Sequence, residues 1–283
     1  MNWNQQNKEL IVGDFNDLEV ARFVDFGLYL ESPECDILLP KNKIPPGTET
    51  GEILPVFIYK DSENRLIATT DKPKIIIHQC ACLEVMDVNK YGAFLDWGIE
   101  NQLLVPFREQ TSVLQAGAKC MVYLYLDHVS DRLVATMRLE KHISNTGHDL
   151  AVKQKVDLLI WEKTTLGYKA IINQKYIGLL YQNEIDQILH YGDRTTGYIK
   201  KIREDNKIDL SLKEIGIQRV FHIPDIIIRE LKSNNGFLAI NDKSSPEEIK
   251  KIFNISKSDF KKAVGMLLRK RYIEFRENGI QLK

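Results

Sequence analysis

Tyr91-Gly92-Ala93-Phe94-Leu95-Asp96-Trp97-Gly98 runs on to Leu103-Leu104-Val105-Pro106-Phe107-Arg108-Glu109. Two short segments rich in aromatic and branched residues flank a glycine turn, a pattern that predicts a β-hairpin with a bend in its first strand. The pattern recurs on both sides. Upstream it reads Phe26-Gly27-Leu28-Tyr29-Leu30, then Leu38-Leu39-Pro40; downstream it reads Leu166-Gly167-Tyr168-Lys169-Ala170, then Leu179-Leu180-Tyr181. A second landmark trails each copy: Arg65-Leu66-Ile67-Ala68-Thr69, Arg132-Leu133-Val134-Ala135-Thr136 and Lys207-Ile208-Asp209-Leu210-Ser211. From Gly27 to Leu66, Gly92 to Leu133 and Gly167 to Ile208 the separations are 39, 41 and 41 residues. Two landmarks that keep their distance three times predict a tandem array of one small β-unit.

Composition fits such an array. The 283 residues are 43% hydrophobic and 28% charged, enough for several compact units and too apolar for a disordered tail. Apolar runs such as Ile75-Ile76-Ile77 and Ile226-Ile227-Ile228 fall far short of a membrane span. Met1-Asn2-Trp3-Asn4-Gln5-Gln6 has neither a basic nor an apolar leader region, so a cytoplasmic location with no membrane partner is expected. Cys35, Cys80, Cys82 and Cys120 are too few and too irregular for a disulfide framework or a four-ligand zinc site. They read as reduced structural thiols, and neither metal nor other cofactor is expected.

The net charge is zero, but its distribution is uneven: −7 over residues 1–71, 0 over 72–144, +1 over 145–215 and +6 over 216–283. A polyanion is therefore favoured by the C-terminal end over the first unit.

Strand patterning gives five strands per unit. In the third, Glu184 to His190 reads as a short helix between strands three and four. Five short strands in about 65 residues describe a small closed barrel of the OB type. The C-terminal segment differs. Pro224 to Lys232 has helical character; Ser245-Pro246-Glu247-Glu248 is a capping box with proline at its first helical position; Ser256-Lys257-Ser258-Asp259 opens a second amphipathic run. Tyr272 to Phe275 and Ile280 to Leu282 flank Glu277-Asn278-Gly279, a hairpin signal, which completes a winged helix of three helices and a hairpin.

Tyr91-Gly92-Ala93-Phe94-Leu95 resembles the signature of S1 RNA-binding domains, and Lys207-Ile208-Asp209-Leu210-Ser211-Leu212-Lys213 resembles their closing strand. Over nearly its whole length the sequence resembles the conserved virulence factor B family, bacterial RNA-binding proteins with tandem S1 domains and a C-terminal winged helix. The expected fold is mainly β with a small α+β C-terminal domain: S1/OB-type five-stranded barrels at 1–72, 73–144 and 145–215, and a winged helix at 216–283.

The resemblance places candidate RNA contacts at the bend aromatics, Phe26, Tyr29, Tyr91 and Phe94, with Tyr168 in the third unit. The alternative is barrel core, since strict alternation puts Tyr91 and Phe94 on opposite faces unless a glycine-centred bulge returns both to one. Typical S1 domains carry a histidine where this chain has Pro40, Pro106 and Tyr181, and unit three has Leu166 and Lys169 in place of the two aromatics; Tyr181 and Lys169 are chemical substitutes there. Phe107, Arg108 and Arg132 extend the candidate surface, the arginines as phosphate contacts. In the winged helix, Lys257, Lys261, Lys262, Arg269 and Arg276 form a basic set that suits an RNA surface or a DNA major groove. No phosphate loop, nucleophile elbow or histidine cluster marks an enzyme. The sequence thus reads as a non-catalytic binder of single-stranded RNA that regulates gene expression after transcription, with DNA and ribosome-associated RNA as the other partners considered. The competing reading is a DNA-binding transcription regulator acting through the winged helix.

Overall fold

A computed structural model of the chain describes residues 9–214 and 218–283. Three five-stranded units follow one another. The first contains β1 (Phe15–Val24), β2 (Gly27–Glu31), β3 (Ile37–Pro40), β4 (Ile53–Lys60) and β5 (Leu66–Thr69). The second contains β6 (Cys80–Asn89), β7 (Gly92–Asp96), β8 (Leu103–Pro106), β9 (Lys119–Asp127) and β10 (Arg132–Thr136). The third contains β11 (Lys155–Lys163), β12 (Gly167–Ile172), β13 (Tyr176–Tyr181), β14 (Arg194–Ile202) and β15 (Ile208–Ser211).

The first and third units are closed barrels, sealed by parallel pairing of their third and fifth strands at Leu38 with Ile67 and Gly178 with Ile208. The second keeps the same strand order as a five-stranded sheet, β10-β9-β6-β7-β8, with no ladder joining β8 to β10 among the described residues. One barrel is therefore left with a seam.

The recurring glycine has a steric cause. Gly92 opens β7 with φ +152°, and a Cβ on it would lie 2.2 Å from the Val105 carbonyl oxygen of β8. At Gly167 (φ +150°) the corresponding distance, to Leu180 O, is 1.9 Å. Strands two and three cross too closely there for any side chain. The bulge that bends each hairpin is not at this glycine, as the sequence suggested, but in the strand before it. The register skips between Val20 and Arg22, Val85 and Asp87, and Ile160 and Glu162.

Neighbouring units share their cores. Phe57 and Tyr59 of β4 lie in one buried cluster with Trp97, Leu103 and Val105 of the second unit. Cys80, Met121 and Tyr123 pack with Leu159 and Ile171 of the third. Burial pushes the Cys80 and Cys120 thiols up to about 12, so both stay protonated as packing groups.

The helix expected over Glu184 to His190 does not form. Only a 3₁₀ turn, Gln182–Glu184, follows β13. The segment is barely two turns long, too short to offset the cost of helix nucleation, although Ile185 and Leu189 still pack against the third core while Ile188 is exposed.

The C-terminal region contains α1 (Gln218–Ser233), β16 (Phe237–Leu238), α2 (Pro246–Phe253), α3 (Lys257–Arg269), β17 (Ile273–Arg276) and β18 (Gly279–Leu282), the strands forming a sheet in order β16-β18-β17. Its core gathers Ile227, Leu231, Ile249, Phe260, Leu267 and Ile280. Expected limits at residue 1 and at 215–216 lie outside the described residues. Ser245 caps α2 reciprocally: the Glu248 amide donates to Ser245 Oγ (3.2 Å), and the Ser245 amide donates to Glu248 Oε2 (2.8 Å). Ser245→Ala should therefore lower the stability of this region by about 1 kcal/mol, read from a urea unfolding curve. Among the described residues no helix is long and apolar enough to cross a membrane.

Candidate nucleic-acid interface

In the second unit, the β6–β7 hairpin has Lys90 and Tyr91 as its two-residue tip, between paired Asn89 and Gly92. Tyr91 is 62% exposed there, outside the strand, so the alternation that would oppose it to Phe94 does not apply. Within β7, Ala93 and Leu95 face the core while Phe94 is half-buried on the outer side. Tyr91 and Phe94 line one groove of about 690 Å³, together with Trp97, Leu104, Arg132 and Val134. The groove thus runs over the seam between β8 and β10. The Lys90 ammonium lies 5.1 Å from the centre of the Tyr91 ring.

Arg132 is exposed, and its guanidinium donates to the Ser62 carbonyl (2.8 Å). Arg108 is also exposed beside the exposed Phe107, 3.5 Å from Asp127 and 3.7 Å from Glu109. The Ser130 hydroxyl, aided by Arg108, holds the Asp127 carboxyl below its ordinary range, so that partner stays ionised. Part of the charge of Arg108 is already matched.

The first unit repeats the aromatic arrangement. Phe26 at the hairpin tip and the outward Tyr29 meet edge to face at 6.4 Å. Arg22, ion-paired with Asp36, covers the Tyr29 ring at 4.5 Å. One face of that stack is thus already taken.

In the third unit Lys169 takes the outward position, 2.7 Å from Glu162 and 5.2 Å from the Trp161 ring centre. Tyr181 is half-buried, its hydroxyl accepting from Arg203, which also forks Asp209 at 2.7 and 3.1 Å. Tyr168 needs correction as a contact. It is 6% exposed and belongs to the third core, because the residue after the glycine is the inward position, as at Leu28 and Ala93.

Family comparison accounts for both regions. The S1 domain model matches residues 12–71 and 79–138, and the model of the CvfB-like winged helix domain matches residues 225–282. A Bacillus subtilis protein, YitL, is 28% identical across 98% of this chain and 95% of its own. Conserved virulence factor B of Staphylococcus saprophyticus is 25% identical across 98% and 96%. Over nearly its full length the chain is similar to the conserved virulence factor B family. Both matched domain families are nucleic-acid-binding, not enzymatic. A Streptococcus pneumoniae crystal structure, described as a multidomain protein with nucleic acid binding domains, aligns at 22% identity over 96% of this chain and 98% of that one, with a TM-score of 0.42.

The third barrel lies outside the S1 match, although its strand order and bulge repeat those of the first. In the winged helix, Lys261, Lys262 and Arg269 stand exposed on α3, while Lys257 reaches back to the Lys243 carbonyl at 3.5 Å. Arg276 is tied to Glu274 and to Gln281. Arg269 also donates to the Gly265 carbonyl (3.3 Å), so only Lys261 and Lys262 of the basic set have no partner among the described residues. Sequence reasoning missed Lys60, Asp61 and Ser62, which line the second unit's groove from the first unit. No local pattern marks them, because only the packing of the two units brings them there.

Proposed function

We propose that the chain is a non-catalytic cytoplasmic protein that binds single-stranded RNA on its S1-type barrels, chiefly the second, and tunes gene expression after transcription. The observation that supports this reading is the exposed Tyr91 set beside the outward Phe94 on one groove. Aromatic faces placed in this way attract unstacked bases, which single strands offer and duplexes hide. Charge near the groove is nearly balanced, Lys60 and Arg132 against Asp61 and Glu100, so stacking supplies most of the attraction.

Phe107 and Arg108 extend this surface, and Phe26, Tyr29, Lys169 and Tyr181 form weaker counterparts on the flanking barrels. Arg108→Ala should cost less than a stacking aromatic and should make the plot of log affinity against log salt shallower by about 0.7, the contribution of one phosphate contact on a single strand. Salt titrations of the two proteins check this; an unchanged slope removes Arg108 from the phosphate contacts.

The exposed Lys261 and Lys262 support the second reading, DNA binding through α3. Charge reversal separates the two readings. Lys261→Glu combined with Lys262→Glu should leave most single-stranded RNA affinity in place while Phe94→Ala removes most of it. The opposite pattern would assign binding to the winged helix.

A further inference from the structure

The groove that carries Tyr91 and Phe94 is not built by the second barrel alone. Part of its lining is the end of β4 and the β4–β5 turn of the first barrel, which contribute Tyr59, Lys60, Asp61 and Ser62. We propose that the first barrel is part of the second barrel's binding site, and that a base of the bound single strand is held between the Tyr91–Phe94 face and the Tyr59–Ser62 segment. This rests on the reading of that groove as a single-strand site.

Four observations make the wall a fixed part of the site. Phe57 and Tyr59, on the strand that leads into the turn, are buried in the second barrel's own core, and Trp97 meets their rings edge-on at 5.7 and 6.4 Å. The Ser62 carbonyl accepts from Arg132, and Lys60 is ion-paired with Asp131. Backbone bonds stitch the units beside the groove: the Gly13 amide donates to Ile58 O (2.7 Å) and the Ile77 amide to Gly13 O (2.8 Å). The turn itself is braced, Asp61 Oδ1 accepting from the Glu63 and Arg65 amides at 2.9 Å each. A preorganised wall restricts the bound base without an ordering cost at binding.

The wall also has chemistry to offer. Tyr59 lines the groove, and burial with nearby carboxylates pushes its hydroxyl up to about 12. Asn101 and Gln102, residues whose amide side chains suit the polar edge of a base, also line the groove. The acidic first barrel, a poor phosphate surface by its charge, thus acquires a role that needs no net positive charge.

Ser62 permits a clean test, since it is exposed in a turn, is one of the residues lining the cavity, and is held to Arg132 through its backbone carbonyl. Ser62→Trp fills the groove and leaves the backbone bond available. In the full-length chain, with fluorescently labelled single-stranded oligouridylate as probe, it should weaken binding at least tenfold with an unchanged melting temperature. Glu63→Trp, one residue on and outside the lining, should bind as the parent does. Affinity of Ser62→Trp within twofold of Glu63→Trp overturns the composite site. Phe94→Ala, titrated alongside, keeps the two ideas separate: if it weakens binding while Ser62→Trp does not, only the shared wall fails. If Phe94→Ala also binds as the parent does, the underlying groove reading fails first.

Discussion

Gly92→Ala should destabilise the paired first and second barrels by about 3 kcal/mol, the sum expected of a backbone strain and an overpacked contact. At φ +152° an L side chain is strained before any neighbour is considered, and the new Cβ would sit 2.2 Å from the Val105 carbonyl oxygen and 2.9 Å from Pro106 Cα. Neither neighbour is a flexible side chain that can swing away. Separation of β7 from β8 is the only relief, and it would loosen the cluster that holds Ala93, Leu95, Leu103 and Val105. Because Phe57 and Tyr59 belong to that cluster, the first barrel should lose stability with the second. Gly117→Ala is the control: its φ of +82° is also positive, and nothing lies within 4 Å of the place its new methyl would take. Urea midpoints for both variants decide the matter, and equal losses would show that the close crossing contributes nothing beyond backbone strain.

Phe94→Ala should weaken single-stranded RNA binding by about 1–3 kcal/mol, the range for one base–aromatic stack, while the dependence of log affinity on log salt stays the same. No charge is removed, so no counterion release is lost. The loss of stability should be well under the roughly 3–5 kcal/mol typical of a fully buried phenylalanine, because this ring lies outside the core cluster. Affinity and unfolding measured on the same protein separate the two contributions. A large fall in stability with affinity intact in the folded fraction would place Phe94 among the structural residues.

The repeat was legible because its cause is local. A glycine that must pass under a carbonyl and a closing strand about 40 residues later leave marks that survive when most other positions vary. Gly27, Gly92 and Gly167 therefore announced three units even though the first is acidic and the third lacks the aromatic pair. The capping box at Ser245 was legible for the same reason, its partners lying within one turn. Tyr168 was misplaced because aromatic character is shared by core and contact residues. Only its offset from the glycine, inward one residue on and outward two on, tells them apart. The bulge was displaced into the preceding strand because no glycine marks it: Ala21, Met86 and Trp161 occupy it without a common side chain. The wall from Lys60 to Ser62 was invisible, since its place in the groove depends on contacts across some 70 residues of sequence, such as Lys60 with Asp131.

The most direct measurement is a titration of the full-length chain with single-stranded RNA, single-stranded DNA and duplex DNA of matched length at several salt concentrations. Stacking on the second barrel predicts that single-stranded RNA binds most tightly, that duplex DNA binds weakly, and that appreciable RNA affinity persists at high salt where charge alone is screened. Tighter binding to duplex DNA, with RNA affinity vanishing as salt rises, would contradict the account and move the interface to the basic face of α3.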